Sequence, residues 1–446
     1  MTDIDQPSPE GARALVVPQM APLPRRNFLF LQGLMGPFFR RIGAALRRDG
    51  YGVYKVNFNG GDVAFWRLPN GIAYRGSLEA WPDALRAIIR RYDITDVLLF
   101  GDCRPMHVEA LTVCRELHLP VHVFEEGYIR PNWVTLELGG VNGHSSLPRD
   151  PDYYRKLAAS LPDPGGNVHV PSSFPRRAAE GVAYNAADIL TRRWFPHWKD
   201  HRPWHPLREG VGWLKRLSRR RRAERRTQAL LRQIDSFSGP MMLFPLQLDA
   251  DAQVRLHSAF DGIASAIETV IGSFARHAPR NMLLVIKEHP LDNGVKDWRR
   301  LIRETAKRHR VEGRVCYMEA GDIALIIHRA KGVVTINSTT GTLALAFGIP
   351  VITLGHAVYD IPGLTNQGRL DQFWSAPGEP DRATFEAFRR VLIETCLIPG
   401  GFFSEQGLGL LVERAIERLE RHSPIAFADS ARHVVPEHFS TPKAVH

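Results

Sequence analysis

Val121-His122-Val123-Phe124-Glu125-Glu126-Gly127-Tyr128 decides how the rest of this chain is read. An apolar run of strand length ends in two carboxylates and a glycine turn. In a parallel α/β sheet the carboxyl end of a strand faces the ligand crevice. Adjacent acids repel and are costly to bury, so this placement points to a task at the strand end. The alternative is a solvated loop, and the surrounding segments decide between the two.

Outward from that stretch, short β-rich runs alternate with helical periodicity. Strands are predicted at 28–32, 53–58, 96–100 and 121–125, with helices at 36–48, 78–92 and 106–117. The pattern recurs with strands at 242–246, 282–288, 315–318, 333–337 and 351–354. Its helices fall at 258–276, 296–309, 322–329 and 340–347, and an amphipathic helix at 408–421 follows. Alternation of this kind specifies βαβ units and a parallel sheet, here twice. The division is a disordered tail over 1–25, a Rossmann-like domain over 26–150, and a basic, partly helical connection over 151–235. A second Rossmann-like domain over 236–425 and a tail over 426–446 complete it.

Composition narrows the class. At 446 residues, 44% hydrophobic and 24% charged, the chain has the make-up of a globular protein with room for two or three cores. Cys103, Cys114, Cys316 and Cys396 form no CxxC pair, which argues for reduced thiols, a cytoplasmic setting, no disulfide framework and no zinc site. The first 24 residues lack a basic start before an apolar core, so they do not read as a signal peptide. No apolar run is long enough to span a membrane. The net charge is +11, and residues 176–226 hold 15 Lys/Arg against 5 Asp/Glu, which accounts for ten of it. Trp194, Trp198, Trp204 and Trp213 are interleaved there. Tryptophan among cations suits an anionic membrane surface. A solvated helix face and a nucleic-acid contact are the other readings of such a run.

Polar clusters fall at other strand ends. In Lys287-Glu288-His289-Pro290 the proline restricts His289 to an extended backbone, which fixes an imidazole able to donate to, or protonate, a phosphate oxygen. Asn337-Ser338-Thr339-Thr340-Gly341 precedes a helix, and its hydroxyls and backbone N–H groups suit a phosphate as well as a simple N-cap. Gln32-Gly33 follows the first strand, Asp102 and Arg104 follow the third, and Gln247 follows the first strand of the second domain. Asn57-Phe58-Asn59-Gly60-Gly61-Asp62 reads as a turn, and Asp249-Ala250-Asp251 as structural. Walker A, GxGxxG, GxSxG and HExxH motifs are absent, so neither a nucleotide-hydrolysing loop nor a dinucleotide cofactor is expected.

Taken in order, these blocks resemble bacterial transferases that use CMP-activated sugars, and more closely the KpsS-type capsule polysaccharide biosynthesis/export family. The resemblance runs over about residues 27–425. It is carried by Phe30-Leu31-Gln32-Gly33 with Gly36-Pro37-Phe38-Phe39, Gly101-Asp102-Cys103-Arg104-Pro105, Glu125-Glu126-Gly127-Tyr128-Ile129-Arg130-Pro131 and Pro245-Leu246-Gln247-Leu248-Asp249. Lys287-Glu288-His289-Pro290, Asn337-Ser338-Thr339-Thr340-Gly341 and Tyr359-Asp360-Ile361-Pro362-Gly363-Leu364-Thr365 complete it. It implies a GT-B-like α/β fold, two Rossmann-like domains facing a cleft, with 26–150 on the acceptor side and 236–425 binding the nucleotide sugar. It implies transfer of β-linked Kdo, an acidic eight-carbon sugar, from CMP-Kdo to a lysophosphatidylglycerol-type lipid. The setting implied is the cytoplasmic face of the inner membrane, with capsule assembly and export proteins as partners and no nucleic acid. No cofactor or metal is implied beyond the CMP-Kdo substrate. Carried onto this sequence, Glu126 is the catalytic carboxylate and His289 assists departure of CMP. Lys287, Pro290, Asn337, Ser338, Thr339, Thr340 and Gly341 hold the nucleotide. Gln32, Gly33, Asp102, Arg104, Glu125, Arg130 and Gln247 line the substrate side, with Glu125 bracing the loop. The KpsC-type relatives have Glu-Asp-Gly-Phe where this chain has Glu125-Glu126-Gly127-Tyr128, which places the second carboxylate one methylene further out here. Glu126 is either a nucleophile or a base on this reading. CMP-sialic acid or a UDP-sugar as donor, and a non-catalytic membrane adaptor, are the competing assignments.

Overall fold

The computed structural model describes residues 26–163, 169–200, 204–249 and 251–421. The expected tails, 1–25 and 426–446, lie outside these residues. The first sheet contains β1 (Asn27–Phe30), β2 (Gly52–Asn57), β3 (Gly71–Ala73), β4 (Asp96–Phe100), β5 (Val121–Glu126), β6 (Trp133–Leu138) and β12 (Leu397–Pro399). The second contains β7 (Met241–Pro245), β8 (Leu283–Lys287), β9 (Val315–Met318), β10 (Gly332–Thr335) and β11 (Val351–Thr353). Their orders are β12-β6-β5-β4-β1-β2-β3 and β11-β10-β7-β8-β9. β1 to β5 pair in parallel, as do all strands of the second sheet. β6 and β12 close one edge of the first sheet antiparallel. Parallel strands are covered on both faces, which is why β4, β7 and β8 are buried along their whole length.

The helices are α1 (Phe38–Arg48), α2 (Gly60–Trp66), α3 (Trp81–Arg91), α4 (Pro105–Glu116), α5 (Pro151–Ser160), α6 (Phe174–Leu190), α7 (Pro206–Asp235) and α8 (Ala252–Leu256). They continue with α9 (Ile263–His277), α10 (Trp298–Arg308), α11 (Ile323–Arg329), α12 (Thr340–Ala346), α13 (Leu370–Phe373), α14 (Arg382–Thr395) and α15 (Glu405–Arg421). α9 shows why they form: Ile263, Ala266, Ile267, Val270, Ile271 and Phe274 recur at helical spacing and are all buried.

The predicted strands and helices of both halves are present, with two departures. The stretch expected to be a turn around Gly60-Gly61 is the start of α2. A Cβ on Gly60 would meet the Thr191 hydroxyl and one on Gly61 the Tyr184 ring, so the glycines let α6 lie against α2. The second domain, expected over 236–425, does not keep its last segment. β12 pairs with β6, and Leu408, Leu411, Ala415 and Leu419 of α15 join the cluster of Phe38, Ile42 and Leu46 on the first sheet. Each buried leucine there stabilises this return by roughly 1.5–3 kcal/mol. Arg26 fixes it further, donating to the Leu419 carbonyl at 2.7 Å and to both carboxylate oxygens of buried Asp96. The connection over 151–235 is mostly helix, and α6 and α7 form a wall beside the cleft between the sheets.

Candidate active site

Both sheets change direction next to their first strand. β1 is flanked by β2 and β4, and β7 by β8 and β10. Ligand crevices form where strand order reverses, outside the carboxyl ends. At the first switch point Arg104 donates to the Gly33 carbonyl at 3.0 Å. At the second, Gln247 and Asn337 exchange hydrogen bonds, Nε2 to Oδ1 at 2.8 Å and Asn337 N–H to Oε1 at 3.2 Å. The two crevices open into one cleft of about 1620 Å³.

The end of β5 supplies two carboxylates with different surroundings. Glu126 is clamped: Oε2 lies 2.9 Å from Arg130 and Oε1 lies 3.1 Å from Arg177 of α6. Burial alone would raise this carboxyl, but Arg130, Arg177 and nearby His289 outweigh it and hold it below the usual range. Glu125 accepts only the Glu126 N–H, at 2.9 Å through Oε1, among the described residues. Burial, with Glu126 and Asp251 beside it, pushes Glu125 up to about 8. Strand alternation would turn Glu125 to the opposite face from Glu126, as a brace for the loop, but both carboxylates line the cleft. The last two residues of β5 are only partly covered, and alternation no longer separates an inner from an outer face there.

The end of β8 brings the second domain in. The Leu291 N–H donates to His289 Nδ1 at 3.1 Å, so a neutral ring carries its proton on Nε2. Burial, and then Arg130, hold His289 down to about 4. Lys287 is buried and lowered chiefly by that burial. Glu288 pairs with Arg216 of α7 at 3.1 Å and accepts from the Tyr317 hydroxyl. α7 also presses on this loop at Gly212, where a Cβ would lie 2.1 Å from the Asn293 carbonyl.

The sequence-named residues Gln32, Gly33, Arg104, Glu125, Glu126, Arg130, Gln247, Lys287, His289, Pro290, Asn337, Ser338, Thr339 and Thr340 all line the cleft. Asp102 and Gly341 do not. Asp102 is fully buried and accepts the Val141 N–H at 2.9 Å. Gly341 makes room for the Tyr359 hydroxyl, which would sit 2.3 Å from a Cβ. The hydroxyls of Ser338 and Thr340 engage each other at 3.2 Å, and Ser338 Oγ accepts the Thr340 N–H. These are local turn bonds just before α12, so the cradle expected there is partly used up inside the loop. Asp249, paired with Lys296 at 2.7 Å, and Asp251, which caps α8, bear structural contacts; Ala250 lies outside the described residues. Arg177 and Asp251 were not expected at the site. Arg177 belongs to the basic run, where no spacing signal connects it to Glu126.

The cleft mouth is apolar. Phe174, Val182 and Ile189 of α6 and Leu207 and Leu217 of α7 line it, all of them exposed. Along α7, Leu207, Val211, Leu214 and Leu217 form an outward stripe at i, i+4, i+7 and i+10. Exposed Arg219, Arg220, Arg221, Arg222 and Arg225 follow it. No helix of the described residues is long and apolar enough to cross a membrane.

Two α/β domains with facing carboxyl edges make this a GT-B-like protein, a class whose fold alone names no reaction. Residues 95–403 match the family model described as capsule polysaccharide biosynthesis protein. The chain is 38% identical over 369 residues to the capsule polysaccharide export protein KpsS of Escherichia coli, covering 82% of this chain and 94% of that one. It is 34% identical over 385 residues to the capsule polysaccharide modification protein LipB of Neisseria meningitidis, covering 85% and 92%. Among solved structures it is similar to the KpsC beta Kdo 2,7 transferase of Thermosulfurimonas dismutans, with a TM-score of 0.44, 16% identity and coverage of 89% and 99%. The chain belongs to the capsule polysaccharide biosynthesis family.

Proposed function

We propose that this protein is a glycosyltransferase that moves Kdo from CMP-Kdo onto a lysophosphatidylglycerol-type lipid, making the lipid terminus of a capsular polysaccharide. The observation that carries this reading is the joining of a charged floor, Glu125, Glu126 and His289, to an apolar mouth built by α6 and α7. A sugar nucleotide uses the floor. An acyl chain covers the mouth and removes its apolar surface from water. The donor class follows the ordered blocks of the resemblance. Arg130, Arg177, Lys287 and the His289 Nε2–H supply cations and a donor for the single phosphate of a CMP-sugar.

The two carboxylates divide the work by environment, as paired acids do when neighbours push them apart. Retention of the β configuration has ionised Glu126 bond the anomeric carbon while the bond from that carbon to the phosphate oxygen breaks. CMP leaves with the electron pair, and His289 Nε2–H donates to it. The acceptor oxygen then displaces Glu126 and gives its proton to Glu125, whose basicity lies close to working pH. The stripe of α7 and the arginines after it rest on the anionic inner-membrane surface, each exposed Lys/Arg adding about 1 kcal/mol. Capsule assembly and export proteins are the partners this location supplies.

The experiment combines purified protein, CMP-Kdo generated in situ and a fluorescent lysolipid acceptor, with mass measurement of the product. One added Kdo and release of CMP are expected, both lost in Glu126→Ala. Turnover of CMP-sialic acid or a UDP-sugar in place of CMP-Kdo reassigns the donor. Vesicle binding without turnover of any sugar nucleotide makes the chain an adaptor and ends the enzymatic reading.

A further inference from the structure

Beside the carboxylate floor, three separate segments meet at one point. Asp102 and Cys103 follow β4, His144 ends a short turn over Asn142–His144, and His257 follows α8 in the second domain. One ligand-type atom from each lies within 4.8 Å of all the others. Cys103 Sγ is 3.1 Å from Asp102 Oδ1 and 3.3 Å from His257 Nε2. His144 Nδ1 is 3.1 Å from Asp102 Oδ2, and the two imidazoles meet edge to face at 4.4 Å. Zinc bonds of about 2.3 Å to sulfur and about 2.0–2.1 Å to nitrogen or oxygen place tetrahedral ligand atoms roughly 3.3–3.7 Å apart. The Cys103–His257 separation and the two Asp102 contacts, one through each carboxylate oxygen, are near that value. With one Asp102 oxygen as ligand the separations reach up to 4.8 Å, so the widest needs to contract by about 1 Å.

We propose that Asp102, Cys103, His144 and His257 bind one divalent transition-metal ion, zinc by their ligand chemistry, and that this ion clips the two domains together. The proposal is independent of the transferase reading. A thiolate and a carboxylate carry two negative charges, which neutralise a divalent ion at a partly buried site. The Cys103 proton leaves to solvent as the metal binds. Supporting contacts are in place: the Val141 N–H donates to Asp102 Oδ2 at 2.9 Å, and Gly143 lies against the His257 ring, where a Cβ would be 2.3 Å from Nδ1. Asp102 and His257 are 0% and 2% exposed, so that carboxylate and that imidazole are held in place by the fold, while His144 lies at the surface and gives an ion a way in. Sequence spacing excluded zinc because these ligands come from three segments, with no CxxC or HxxxH among them. Three come from the first domain and one from the second, so a bound ion resists opening of the cleft at that edge.

The test uses full-length protein purified without a nickel column. Metal content is measured by mass spectrometry after incubation with zinc under reducing conditions and buffer exchange, and Tm is measured with zinc and with chelator. About one zinc per chain is expected, with a Tm that falls on chelation and recovers with zinc. Cobalt(II) in its place is expected to give a thiolate-to-cobalt absorption band that Cys103→Ser abolishes. Cys103→Ser and His257→Ala are expected to weaken zinc affinity by more than about a hundredfold, beyond the roughly 10–100-fold that outer-shell changes cost. Wild-type protein that retains no zinc or cobalt and shows a Tm indifferent to both overturns the proposal. Equal metal binding by wild type, Cys103→Ser and His257→Ala overturns it as well.

Discussion

Replacing His289 separates a hydrogen-bond donor from an acid. With Nδ1 occupied by the Leu291 N–H, only Nε2–H faces a ligand. Held at about 4, principally by burial, the ring is protonated in about one molecule per thousand at pH 7. An imidazolium acid would therefore cost about 4 kcal/mol before any chemistry, at about 1.36 kcal/mol per pH unit. A neutral donor carries no such cost. Glutamine keeps an N–H donor and alanine removes it. His289→Ala is expected to lose about 10²–10³ in kcat/KM, the loss typical of one donor to developing charge. His289→Gln is expected to stay within about tenfold of wild type. CMP release is the assay, and kcat/KM is the parameter because it reports groups of the free enzyme. The ratio of wild type to His289→Gln should be constant from about pH 5 to 8. A glutamine variant as slow as the alanine variant, with a ratio falling tenfold per pH unit, would refute the donor role.

Three further predictions concern the carboxylates, the mouth and the core. Because Glu125 is raised to about 8, its basic form accumulates only as pH climbs to that value, so wild-type kcat/KM should rise with pH and level off there. Glu125→Gln should lower kcat/KM by about 10²–10⁴ and flatten the profile, whereas Glu126→Gln should lower activity and keep a rise moved to lower pH, because the Glu126 charge helps hold Glu125 up. Leu207 and Leu214 are each 69% exposed, so changing both to Glu should leave Tm unchanged. It should also weaken sedimentation with anionic vesicles by at least about a hundredfold, since each buried leucine contributes roughly 1.5–3 kcal/mol. Burial alone would raise Asp96, but the His122 and Arg26 hydrogen bonds outweigh it and lower its carboxyl to about 2. Its stabilisation is therefore complete above the unfolded value of about 3.9 and is lost as pH falls through about 2. At neutral pH Asp96→Asn should cost about 3–5 kcal/mol in denaturant unfolding, the cost of breaking a buried ion pair by removing the charge of one member.

The sequence carried the parallel sheets well, because strands such as Leu283–Lys287 are apolar throughout and the helices between them are periodic. It carried the floor of the cleft for a related reason: polar residues directly after such strands have few places to go. Contacts made across long separations left no such trace. Arg177 reaches Glu126 only because Gly60 and Gly61 admit α6 beside α2. β6 and β12 were invisible as partners because Leu397-Ile398-Pro399 is too short to read as a strand. Gly341 looked like a phosphate contact and proved to be space for Tyr359. The opposite environments of Glu125 and Glu126 depend on arginines brought in from other segments, which adjacency in the sequence conceals.

The return of β12 and α15 to the first sheet bears on how the chain is made. Synthesis proceeds at about 5–20 residues per second, so roughly 15–60 s separate the emergence of β6 from that of α15. Throughout that interval the outer edge of β6 and the apolar surface around Phe38 and Ile42 lack their final cover. The second sheet, contiguous in the chain, can consolidate first. A nascent first domain in this state exposes an unpaired strand and a hydrophobic patch, the features that recruit chaperones and seed aggregation. Slow translation or a stop codon before residue 397 should therefore harm the start of the protein more than its middle.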